Sequence, residues 1–78
     1  MITVSEMRKS VNKRLRSLLA ESGKTQKEIA KGIGINNKLL NSYLKGDITP
    51  NTFTVCKICE YFDVSADWLL GLSERKEK

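Results

Sequence analysis

The chain contains no histidine, one proline, one tryptophan and only two cysteines. It also has no apolar run near the ~18 residues that a membrane-spanning helix requires. Each shortage removes a class of function. Histidine is the commonest general acid–base group, and it is missing here. The carboxylates, Glu21 and Glu28 among them, are scattered over cap and surface positions, with no nucleophile and base paired by spacing. Nothing resembles a glycine-rich phosphate loop. No enzymatic role and no cofactor are therefore expected. Zinc normally takes four ligands, so the CxxC of Cys56 and Cys59, with no second pair, is expected to be two structural thiols and no metal site. The opening MITVSEMRKS has no apolar h-region, which makes secretion and a membrane unexpected and the cytoplasm the expected location. Thiols rather than a disulfide fit that compartment.

What is present is an ordinary globular composition with an uneven charge. Of 78 residues, 40% are hydrophobic and 29% charged, enough apolar surface for one small core. A single domain over residues 1–78 is expected. The net charge is +5, but residues 1–46 carry ten basic and three acidic side chains, whereas residues 47–78 carry four basic and six acidic. A basic half beside a mildly acidic half gives the field a direction, and nucleic acid is the first polyanion to consider.

The periodicity is helical throughout, with no strand pattern, no internal repeat and no low-complexity stretch. Thr3 with Glu6, and Thr25 with Glu28, are capping boxes that open the first and second helices. Val4, Met7, Val11, Leu15, Leu18 and Leu19 form one face of a helix over about 4–21, stopped by Gly23. Ile29, Ala30 and Ile33 face inward on the second helix, before Gly34 breaks it. Asn36 caps a third helix running to Lys45 and ended by Gly46. Pro50 marks the next break, Asn51 caps a fourth helix with Val55, Ile58, Cys59 and Phe62 on one face, and Ser65 caps a short fifth one containing Trp68, Leu69 and Leu70. Trp68 reads as a core anchor. The polar tail, residues 73–78, is expected to fray. The fold class is all-α, a bundle of about five short helices.

The window 26–45, QKEIAKGIGINNKLLNSYLK, carries the functional signal. Two short helices meet at a tight turn at Gly34, and the small Ala30 permits their close crossing. Leu40 and Tyr43 anchor the third helix from inside and leave Asn37, Lys38, Asn41 and Ser42 facing out. That is helix-turn-helix geometry, in which the second helix enters the DNA major groove.

From about Val11 to Gly71 the chain resembles the Cro/repressor-type helix-turn-helix family of phage repressors and small bacterial regulators. The matching stretches are KTQKEIAKGIGINN, YLKGDITPN and FDVSADWLLG, in order and at the right spacing. The resemblance implies a lambda-repressor-like domain that binds duplex DNA, regulates transcription and represses at a palindromic operator, with a homodimer as one implied state. Exposed Phe53 or Leu72 are candidates for the dimer surface.

The resemblance also implies roles for individual residues. Gln26, at the start of the second helix, would hydrogen-bond a phosphate, helped by the free amides there. Asn37, Lys38, Asn41 and Ser42 would reach base edges, an asparagine pairing with adenine and a lysine with guanine. Leu39 stands where a small polar residue is usual, and it has two readings, contact with a thymine methyl or packing against the second helix. Lys27, Lys45, Thr49, Asn51, Thr52 and Lys13 are candidate phosphate contacts, while Asp47 weakens the grip of its loop. Lys9 and Arg14 would add non-specific affinity. Where the family often buries an arginine–glutamate pair, this chain has Leu19 and Leu44, which are expected to touch. A rival reading keeps the fold and makes the partner a protein, a toxin or an anti-repressor. RNA is the weaker rival, since few aromatics are free to stack on bases.

Overall fold

A computed structural model describes residues 1–78. The capping signals place the helices. Helix α1 spans Val4–Ser22, and the reciprocal Thr3–Glu6 bonds close its capping box. Helix α2 spans Gln26–Ile33 with the second box, Thr25–Glu28, at its start. Helix α3 spans Asn37–Lys45, with Asn36 accepting from the Leu39 amide. Helix α4 spans Thr52–Phe62 behind Asn51, and α5 spans Ala66–Leu70 behind Ser65. All five N-caps are those that the residue types and spacings predict. A serine, threonine or asparagine oxygen satisfies an amide that the helix itself cannot, and this signal is local. One ending carries no such signal. α4 stops at Asp63, a non-glycine residue at φ 56°, in the region where aspartate and asparagine are enriched.

Helix α1 packs on α3 and α5, α2 on α3 and α4, and α4 on α5. The core so enclosed contains Val11, Leu15 and Leu18 of α1, Ile29, Ala30 and Ile33 of α2, Leu40 and Tyr43 of α3, Val55, Ile58 and Cys59 of α4, then Val64 and Leu69. Leu15, Ile29, Leu40, Ile58 and Leu69 are sealed from solvent, one from each helix, so no helix is peripheral. The radius of gyration, 11.5 Å, matches the value of about 11.5 Å expected for a folded chain of this length. Leu19 and Leu44 are both half-buried against this core. Phe62 is half-buried and edge-on to Tyr61, with centroids 5.0 Å apart. Cys56 is exposed and Cys59 buried, both as free thiols. No helix is long and apolar enough to cross a membrane.

Two expectations are corrected. The polar tail does not hang free. The Ser65 amide donates to the Lys76 carbonyl at 2.8 Å, Lys76 Nζ meets Glu21 at 2.8 Å, and Lys78 reaches Asp63 at 3.6 Å. Nor is Arg14 a spare surface cation. Its guanidinium donates to the carbonyls of Trp68 and Ser73 and to the Glu74 carboxylate, and it lies 4.9 Å from the centre of the Trp68 ring. Lys76 lies 5.4 Å from the same ring. Trp68 is half-buried and joins α1, α5 and the tail.

Candidate nucleic-acid interface

The turn between α2 and α3 sets the geometry of the surface. Gly34 adopts φ 93°, which costs a residue with a side chain far more than glycine. The Gly34 and Ile35 amides both return to the Ala30 carbonyl, at 2.9 and 3.0 Å, closing the end of α2 within two residues. The chain then re-enters a helix at Asn36. Leu40 and Tyr43 are buried, so α3 is rolled with its opposite side outward.

That outer side holds most of the predicted base-reading set. Asn37 and Lys38 are exposed, and Asn41 and Ser42 are half-exposed. The Ser42 hydroxyl donates back to the Lys38 carbonyl at 3.3 Å, which fixes its hydrogen within the helix and leaves its oxygen to accept. Leu39 is half-buried, with part of its side chain against the core and part open at the surface.

Gln26 and Asn37, the first residues of α2 and α3, touch. Gln26 Nε2 donates to Asn37 Oδ1 at 2.9 Å and approaches the Asn37 carbonyl at 3.3 Å. The phosphate candidate and the leading base candidate therefore form one unit. Lys27, beside Gln26, is exposed, as is Lys45 in the last turn of α3. Beyond α3, Thr49, Asn51 and Thr52 are all exposed. Asn51 spends its Oδ1 on the Thr54 amide at 2.9 Å, so its cap role is real and its amide donor stays available. Lys13 is exposed on α1, bordering a shallow depression with Arg16, Ser17 and Ala20 rather than grouping with the α2–α3 residues.

Two features of this surface carry no signal in the pattern of residue types. Arg8 of α1 lines a small cleft together with Asn12, Gly46 and Thr49, which puts an exposed cation beside the loop that Asp47 weakens. Gly32, inside α2, faces the ring of Tyr61 on α4. A Cβ there would overlap Cε1 and stand 2.8 Å from Cζ. This close approach fixes α2 against α4.

Charge at the start of α2 is tuned locally. The Thr25 backbone amide, and then its hydroxyl, hydrogen-bond the Glu28 carboxylate and hold its pKa below the usual glutamate range. In α4, burial raises the Cys59 thiol, with the neighbouring Cys56 adding to the effect. No group of three or more His, Cys, Asp or Glu side chains comes together in an arrangement that could hold a metal ion.

Two short helices meeting at a left-handed glycine, the second rolled outward and a polar loop following it, define a helix-turn-helix domain. A model of the family described as "Helix-turn-helix domain" matches residues 12–74, and the chain belongs to that family. It is similar to the HTH-type transcriptional regulator ImmR of Bacillus subtilis (strain 168), with 38% identity over 69 residues. That match covers 88% of this chain and 54% of the relative, so the chain spans about half the length of this curated relative. No solved structure matches it significantly.

Proposed function

We propose that this chain binds duplex DNA with sequence specificity and regulates transcription, with α3 in the major groove. The observation that carries this reading is the hydrogen bond from Gln26 to Asn37 at the exposed mouth of the two helices. It leaves the Asn37 amide nitrogen free to donate outward, and the second lone pair of its Oδ1 free to accept, the pair of functions that reads adenine. Lys38, Asn41 and Ser42 continue the reading face. Lys27, Lys45, Thr49, Asn51 and Thr52 contact phosphates, which set register without reading sequence. The relative's printed description as a transcriptional regulator supports the same role.

The chain acts as a repressor, as a homodimer on a palindromic operator whose half-sites lie about 10 bp apart. Phe53 and Leu72, exposed at 79% and 56%, are apolar groups available to a second copy. Selection of bound sites from a random duplex pool tests the reading, with light scattering of the free protein and of its complex. A conserved, two-fold symmetric site bound with a steep salt dependence is the expected result. Absence of any duplex affinity at ~50 mM salt would defeat the proposal.

A further inference from the structure

Asn12 belongs to α1, yet its side chain serves α3. Its Nδ2 donates to the Tyr43 carbonyl at 2.8 Å and to the Leu44 carbonyl at 2.8 Å. A primary amide has two hydrogens, and both are used. The last four carbonyls of a helix have no partner within its regular ladder. The Tyr43 carbonyl also accepts from the Gly46 amide at 3.1 Å, whereas Asn12 supplies the Leu44 carbonyl from outside. Gly46, which terminates α3, adjoins the same group, since a Cβ there would fall 3.6 Å from Nδ2. The other end of α3 is held by the Asn36 cap and by Gln26 on Asn37.

The consequence follows from the length of α3. Nine residues make a rod about 13 Å long, too short to be stable in isolation, so its direction is set by whatever grips its two ends. A tilt of about 10° about the N-terminal end moves the far end by roughly 2 Å and Asn41 by roughly 1 Å. A hydrogen bond to a base edge does not survive such a shift, whereas a long lysine on a phosphate follows it. We propose that Asn12 is a positioning residue for the recognition helix, fixing the tilt of α3 so that Asn41 and Ser42 meet base edges in register with Asn37. This rests on the DNA-binding reading for its functional half and on geometry alone for its structural half.

The test uses Asn12→Ala and Asn12→Asp in the full chain. The aspartate sets a carboxylate against two carbonyl oxygens at a helix end that already disfavours negative charge. Without DNA, amide hydrogen exchange in the last turn of α3 is expected to accelerate about 5-fold or more, while α4 and α5 hold their wild-type rates. With DNA, affinity for the selected site is expected to fall about 10-fold in Asn12→Ala, equivalent to about 1.4 kcal/mol of misaligned base contacts, with random-duplex affinity changing less than about 2-fold. Equal loss on both DNAs, no loss on either, or faster exchange spread over the whole domain would overturn the proposal. Should Asn12→Ala not fold, Asn12→Ser, which keeps a shorter donor, carries the same comparisons. If the wild-type protein binds no duplex at all, the DNA reading falls, and the exchange pattern alone then judges Asn12.

Discussion

Gln26 and Asn37 stand eleven positions apart and begin different helices, yet their side-chain amides meet at 2.9 Å. The bond freezes two exposed rotamers before any ligand arrives, so less ordering entropy remains to be lost on binding. It also occupies the Gln26 Nε2 donor with two Asn37 oxygens. A phosphate at the start of α2 therefore meets the free backbone amides there unless Gln26 exchanges partners.

Coupling between the two side chains is measurable. Gln26→Ala and Asn37→Ala should each weaken binding to the selected duplex, and the double variant should lose less than the two single losses combined. Residues in direct contact typically show interaction energies of 0.5–3 kcal/mol, and about 1 kcal/mol is expected here. Strictly additive losses in a titration series would mean that the two side chains act independently on the DNA.

Glu28 gives the domain a predictable pH dependence. Its carboxylate accepts from the Thr25 amide at 3.2 Å and from the Thr25 hydroxyl at 3.0 Å, which lowers its pKa in the folded state. A folded value below the unfolded one means that the unfolded chain binds more protons between the two. The contribution is therefore complete above the unfolded glutamate's pKa and disappears as the pH falls through the lower folded value. Glu28→Gln should be less stable than wild type at neutral pH, and the gap should close on acidification. Denaturant midpoints at a series of pH values check this, and a gap independent of pH would contradict the capping account.

How much of this was legible before folding depends on how far each interaction reaches along the chain. Helix starts were readable because Thr3, Thr25, Asn36, Asn51 and Ser65 each cap an amide three residues on, within one window of sequence. The outward set on α3 was readable because Leu40 and Tyr43 fix its inner side by periodicity. Asn12, Arg14 and the tail were not. The partners of Asn12 and Arg14 are backbone carbonyls 31 to 59 positions away, and a carbonyl is the same atom in every residue. The tail meets Ser65, Glu21 and Asp63, which no local window joins to it. Gly32 was equally silent, because the ring that demands its small size comes from another helix. Charge alone does not tell a solvated cation from one that, like Arg14, ties helices together.

Gly32→Ala separates two opposing effects. In an exposed helix interior, alanine is favoured over glycine by about 1 kcal/mol. Here the added methyl meets the Tyr61 ring, and overpacking typically costs about 1–3 kcal/mol. The substitution should lower the thermal midpoint, and in a Tyr61→Ala background the same change should raise it. A rise in both backgrounds would show that α2 and α4 are not in close contact at this point.

Arg14 and its neighbour Lys13 make the sharpest contrast on α1. Arg14 is half-buried, and its forked donors reach the Trp68 carbonyl, the Ser73 carbonyl at 2.9 Å, and Glu74 at 3.2 Å. The pairing with exposed Glu74 adds little in water. The bonds to carbonyls carry most of the effect, and loss of a charged donor in a half-buried setting costs about 1–3 kcal/mol. A lysine has one compact ammonium and cannot span the same acceptors, so Arg14→Lys should be nearly as destabilising as Arg14→Ala. Both should change the emission of Trp68, the only tryptophan, since its ring loses the guanidinium over it. Lys13 is exposed and is proposed to meet phosphate, so Lys13→Ala should leave stability unchanged and reduce the salt slope of DNA binding by about 0.9. Arg14→Ala should leave that slope alone, because its charge is already committed within the domain. If the two variants instead flatten the salt dependence equally, Arg14 leaves its carbonyls for the phosphate backbone on binding, and its role as an internal tie is refuted.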